Sequence, residues 1–252
     1  HLGELGPTVM VKNVAVGQKV HIVVAGVAPG RSGSLVRPEH FAVAIGDGYD
    51  VFAVRCADQN QALGPANDSG KQQREQNQQR VNNNNDDATE KALGNKVVFD
   101  DEDLVFNRTN ETDVLGLRFN DLDIPQGAKI TKASITFSTY TSTAGDANFN
   151  IVAELSGNSS PFTGTKLSLR PKTITNQTWI PENWDAPSPL VDSNGDPVSP
   201  NTYSTPDLSN VIQEVVNQAD WCGGNSMALF ITDASGSSAV RSAIAHEQSG
   251  LY

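Results

Sequence analysis

Asp113–Ser138 reads DVLGLRFNDLDIPQGAKITKASITFS, two runs of alternating character on either side of a turn. Leu115, Leu117 and Phe119 alternate with Gly116 and Arg118, the period-2 pattern of a strand with one buried face. Ile124-Pro125-Gln126-Gly127 interrupts the ladder, because proline has no N–H to donate and glycine accepts a positive φ. Ala133, Ile135 and Phe137 then resume the alternation. A hairpin of this kind marks an antiparallel β-protein.

On both sides of the hairpin, the same patterning predicts strands at 96–99, 104–107, 130–139, 149–155, 226–232 and 239–245, separated by turn clusters at the spacing of a sandwich. The fold class is all-β, an antiparallel, jelly-roll-like β-sandwich with long loops and one amphipathic helix near 206–219. Thr205 suits the cap, Pro206 the first helical position and Asp207 the positive end of the dipole. Leu208, Val211, Ile212, Val215 and Val216 form a single apolar stripe at helical spacing.

Three segments are expected along the chain. Residues 1–58 are an N-terminal β segment packed on or completing the main module, in which Val9 and Val11, Val14 and Val16, then Val20, Ile22 and Val24 recur at period two. Residues 59–85, including QQREQNQQRVNNNN, are almost devoid of apolar side chains and read as a polar linker or surface loop. Residues 86–252 form the main sandwich module.

Asp86-Asp87-Ala88-Thr89-Glu90, Asp103-Leu104-Val105, Leu115–Phe119 and Ile124–Phe137 fall in a recognisable order. With Leu169-Arg170-Pro171, Trp179, Trp184, Thr205–Asn217, Trp221 and Gly224–Thr232, they resemble a β-sandwich module of large secreted and surface-attached bacterial proteins, some of them pilus-tip-like. The resemblance covers about residues 80–252 and rests on framework motifs. It implies a fold and brings no catalytic set. In that module a closing strand follows the position matched by Glu247, whereas this chain stops at Tyr252. A missing strand leaves an open edge, which Gly6–Val11 resembles in pattern and would cover, from the same chain or a neighbouring subunit. A trimmed chain is the plainer reading.

The formal charge of −11 argues against nucleic acid or an anionic membrane as partner. No apolar run reaches membrane-spanning length. The chain begins at His1 rather than Met, so either a leader has been removed or the sequence is trimmed. Cys56 and Cys222 are the only cysteines, one in each candidate segment, and are expected to form a disulfide. A secreted, cell-surface location is what the resemblance implies.

Candidate chemistry is sparse. No G-x-S-x-G elbow surrounds a serine, and Ala44–Gly48 lacks the Lys-Ser/Thr of a phosphate loop. Asp86, Asp87 and Glu90, like Asp100, Asp101, Glu102 and Asp103, read as solvated acidic edges, since neighbouring acids on a strand point apart. Calcium, which prefers several loop oxygens, is the alternative, with Asp192, Asn194 and Asp196 in D-x-N-x-D spacing and Asp100, Asp101 and Asp103 next. Pro197 and Tyr203 stand where an EF-hand needs Gly and an acid, which leaves an irregular site or a polar turn. If His1 is the mature terminus, its amine and imidazole can chelate copper with His21, His40 or His246. Trp179, Trp184 and Tyr203 lie in a Pro-rich connection and serve either framework packing or sugar stacking. The N-x-S/T triplets at Asn67, Asn107, Asn110, Asn158 and Asn176 would be glycan acceptors in a eukaryotic secretory pathway and mean little in an Asn-rich chain of the bacterial origin that the resemblance implies.

The sequence therefore predicts a secreted, surface-associated, non-catalytic binding or adhesion protein stabilised by calcium, with an unknown surface ligand or carbohydrate as partner. The alternatives are an extracellular copper-binding protein and a filament subunit assembled by strand exchange.

Overall fold

The computed structural model describes residues 19–25, 74–81, 83–91, 96–99, 101, 103–107, 114–186, 193–194, 198–234 and 237–245, of which 19–25 and 74–78 by backbone alone. The described chain is an all-β antiparallel sandwich. One layer is a six-stranded sheet ordered β4 (Lys96–Val98), β3 (Asp87–Lys91), β6 (Val114–Leu122), β11 (Asn225–Asp233), β8 (Phe149–Ala153) and β9 (Gln177–Trp179). The other holds the sheet β10 (Thr202–Ser204), β7 (Lys129–Ser138), β1 (Lys19–Ala25) and β2 (Arg74–Arg80). The pair β12 (Arg241–Ile244) and β5 (Asp103–Phe106) joins this layer through a bridge between Thr139 and Ala243.

The hairpin turn forms as its chemistry demands. Gly127 has φ +69°, and Ala128 N–H donates to Pro125 O at 3.1 Å. Beyond the turn, Ile130, Ala133, Ile135 and Phe137 are buried while Lys129, Thr131 and Lys132 are exposed. The outward shift between Ile130 and Ala133 reflects a bulge, since Val24 pairs with Ile130 and Val23 with Lys132.

Strand β6 departs from the one-face pattern. Every residue from Val114 to Phe119 is buried, because the strand is central and both its faces are covered. Leu115, Leu117 and Phe119 belong to the inner core. Val114 belongs to a second cluster on the outer face with Ala88, Val152, Phe162, Leu167, Ala228 and Phe230. That face is roofed by the segment between β8 and β9.

The helix, α1 (Ser209–Val216), is shorter than the sequence pattern. Its apolar stripe is buried as expected. The predicted cap does other work: Thr205 Oγ1 accepts Ile135 N–H at 3.0 Å, and Asp207 Oδ1 accepts the N–H groups of Ala133 at 2.9 Å and Ser209 at 3.0 Å. The two side chains thereby continue the sheet edge of β7 before the helix begins, which delays the first turn.

The polar tract read as a linker or loop contains β2, paired along its length with β1. Its alternation is invisible to a hydrophobic pattern because an edge strand can be polar on both faces, which also discourages further strand addition. From the N-terminal segment, β1 runs between β2 and β7, with Val20, Ile22 and Val24 opposite the buried Ile135, Ala133 and Ile130. Residues 7–11, expected to cover an open edge, lie outside the described residues.

The inner core is rich in aromatic rings. Phe106 meets Phe137 edge-on at 5.1 Å, Trp179 stacks on Phe137 at 5.5 Å and Tyr203 stacks on Trp184 at 5.3 Å. Trp184 is wholly buried and Trp179 nearly so. The two are framework residues, and sugar stacking by them is overturned.

Candidate functional site

On the outer face of the six-stranded sheet, the roof between β8 and β9 is fastened by charge. At its heart is Arg118, on β6. Its guanidinium pairs with the Asp86 carboxylate and donates to Ser159 O at 2.8 Å and Ser226 Oγ at 2.9 Å. Asn120 Nδ2 also donates to Asp86, and Ser226 Oγ donates to Asn120 Oδ1 at 2.8 Å. Asp86 is 1% exposed. In such a place a carboxylate persists as an ion only when paired and hydrogen-bonded.

Further along the roof, Glu90 accepts Ser168 N–H and Oγ–H, each at 2.7 Å. Glu154 accepts Arg170 Nη1 at 2.9 Å, and the same guanidinium lies 4.8 Å over the Phe162 ring. Lys172 Nζ donates to the carbonyls of Leu167, Ser168 and Arg170, closing the short 3-10 turn at Leu167–Leu169. Burial lowers the Lys172 pKa, and the nearby Glu90 and Glu154 carboxylates only partly oppose it. Gly116 sits beneath the roof: a Cβ there would lie 2.9 Å from Phe162 Cζ and 3.0 Å from Leu167 Cδ1.

Asp86, Asp87 and Glu90 are therefore buried, contrary to the solvated edge expected of them. An acidic run looks solvated in sequence when its cationic and hydroxyl partners come from distant strands, and here Arg118 and Ser168 do.

At the opposite end of the sandwich, Arg241 is fully buried and its guanidinium donates to main-chain carbonyls throughout: Glu182 at 2.9 Å, Val240 at 2.8 Å, Gly145 at 2.9 Å and Pro181 at 3.1 Å. Burial lowers its pKa. No sequence pattern marks this residue, because carbonyl acceptors have no residue identity.

The candidate metal residues are scattered. Asp101 pairs with Lys91 at 3.4 Å, and Asp103 Oδ2 accepts Ser242 Oγ–H at 2.9 Å. Asn194 lies in a turn, whereas Asp100, Asp192 and Asp196 fall outside the described residues. His21 is central in β1, opposite Ser134 and Gln78; His1, His40 and His246 lie outside the described residues. Among the described residues no group of three or more His, Cys, Asp or Glu is placed to hold a metal ion. Cys222 is not a free thiol, and Cys56 lies outside the described residues.

Among the described residues the large exposed hydrophobic side chains are Leu169 and Ile174 in the roof and Ile180 just after β9, between 73% and 89% accessible. Glu214 of α1 anchors this stretch by accepting the N–H groups of Ile174 and Thr175, each at 2.9 Å. No helix among the described residues is long and apolar enough to cross a membrane. No protein-family model, curated protein or solved structure matches the chain.

Proposed function

We propose that this chain is a non-catalytic β-sandwich binding module of a secreted, surface-associated protein. Support comes from the use to which its buried charged side chains are put. Asp86 and Arg118, Glu90 and Ser168, and Glu154 and Arg170 each tie the roof to the sheet, and Arg241 ties loops through their carbonyls. A general acid or base must present its proton-carrying atom to a substrate, and these atoms face partners inside the frame. Among the described residues, what remains for recognition is the outer surface of the sandwich, the usual arrangement for binding proteins built on sandwiches.

The test is to incubate the full chain with a panel of insoluble and soluble polysaccharides and surface proteins. The fraction retained and any release of new chain ends are then measured. Retention without release of fragments is the expected result. Time-dependent fragments that vanish when one of the residues above is replaced conservatively, with the fold intact, would overturn it.

A further inference from the structure

The register of the sheet β10-β7-β1-β2 collects basic residues at the positions of one face, the face on which Lys129 and Lys132 of β7 are exposed. Lys129 and Lys132 are exposed on β7. Lys132 is opposite Val23 of β1, which is opposite Gln76 of β2; Lys129 is opposite Ala25, which is opposite Arg74. Along the same face of β1, His21 stands between Ser134 and Gln78, and Lys19 pairs with Thr136 on one side and Arg80 on the other. Directly opposed residues of antiparallel strands share a face. The polar face positions on these three strands therefore carry lysine, arginine, histidine, glutamine, serine and threonine, with no acid among them. Glu75 takes the alternate position opposite Val24, which is itself opposite the buried Ile130. Asp207 is an acid beside Lys132 and offsets part of that lysine's charge, so the excess positive charge of the face falls to the positions of Lys19, Arg74 and Lys129. Arg80 has a partner of its own and is not counted among the ligand contacts.

A cationic sheet face on a chain of net charge −11 is a local reversal of sign, and local potential decides which ligand a face attracts. We propose that this face, with the exposed Lys129 and Lys132 on β7 and with Lys19 and Arg74 at register positions of the same face on β1 and β2, binds an acidic polysaccharide through its carboxylates or sulfates. Thr136 and Ser204, whose hydroxyls are 2.9 Å apart at the exposed edge, add hydroxyls to the same face. A nucleic-acid duplex is a poorer match, because it carries a charge about every 1.7 Å and the rest of the chain repels it. Single strands are bound by base stacking on aromatic side chains, and the positions of this face on β1, β2 and β7 carry no phenylalanine, tyrosine or tryptophan. The proposal rests on the non-catalytic binding reading and specifies its ligand.

The test uses the full chain against polygalacturonate, heparin, a neutral glucan and a DNA duplex, with affinity read by biolayer interferometry. Binding to polygalacturonate or heparin is expected, weakening about tenfold between about 50 and 200 mM salt as counterions compete. The double variant K129Q/K132Q, and the triple variant with R74Q added, should bind about tenfold more weakly or not at all while keeping the parent Tm. Equal binding by the variants, or no binding to either acidic polymer, would overturn the proposal, as would equally tight binding to the duplex. Depolymerisation of a bound polymer would contradict the non-catalytic reading alone. Binding of the neutral glucan with no loss in the variants would leave that reading standing and sink the acidic-polymer proposal.

Discussion

At Arg118 the chain spends a charged side chain on holding two pieces of backbone together. Removing it by R118A would leave the buried Asp86 carboxyl group with only the amide partners Asn83 and Asn120, and breaking a buried pair in this way costs about 3–5 kcal/mol. Urea unfolding should show that loss directly, and a loss under about 1 kcal/mol, the range of a surface pair, would mean that the pair is not the roof's main tie. Gly116 makes a second test. G116A places a methyl against Phe162 and Leu167, and the overpacking should cost about 1–3 kcal/mol, seen as a lower Tm. An unchanged Tm would show that the roof yields freely. Single residues were only half legible in the sequence. Leu115, Leu117 and Phe119 announced a buried face, but Gly116 and Arg118 looked like its solvent side. Their burial depends on Phe162 and Asp86, distant in sequence, and no local period records that.

The elements show the same division. Helix α1 was legible through its stripe, since burying Leu208, Val211, Ile212, Val215 and Val216 follows from spacing alone, whereas its start was not, because Thr205 and Asp207 bond to β7 ahead of the first turn. Strand β3 was hidden because its acids look like a loop, and β2 because both its faces are polar. The carboxylates that fasten α1 also predict a pH response. Burial alone would raise the pKa of Asp207, but the N–H groups of Ala133 and Ser209, the Ser209 hydroxyl and Lys132 outweigh it, so its pKa is lowered. Glu214 is lowered likewise, burial being outweighed by bonds from Thr175 and Ile174. A carboxyl group with a depressed folded-state pKa contributes stability that is present above its unfolded value and lost as pH falls through the folded one. Tm should therefore fall as pH drops below the ordinary carboxylate range. The variant D207N/E214Q should start lower at neutral pH and lose less on acidification. Parallel curves for variant and parent would contradict this assignment.

Across the described chain, the two-layer sandwich was readable from the alternation of its long strands and the docking of an N-terminal β segment on it was expected, but the pairing of β1 with β7 in particular was not legible, because pairing partners leave no trace in a single sequence. Cys222 bears on how distant segments are joined. Its proposed partner Cys56 would link the N-terminal segment to the sandwich, and closing so long a loop is worth about 5 kcal/mol in the chain-entropy model. Intact mass after alkylation without reductant should show no added label, and two labels would dismiss the bond. The proposed calcium dependence is checked by melting the protein with EDTA and with excess calcium, because an ion that binds only the folded state raises Tm by mass action. Tm should be lower in EDTA and recover with calcium; superimposed curves would dismiss calcium as a stabiliser.

Ligand recognition through the cationic face of the sheet β10-β7-β1-β2 can be mapped residue by residue, by an amide NMR titration of the full chain with short polygalacturonate oligomers. Shift changes should concentrate at Lys19–Ala25, Arg74–Arg80 and Lys129–Thr136, with the roof unaffected. Changes centred instead on Leu169, Ile174 and Ile180, or spread without preference, would contradict it.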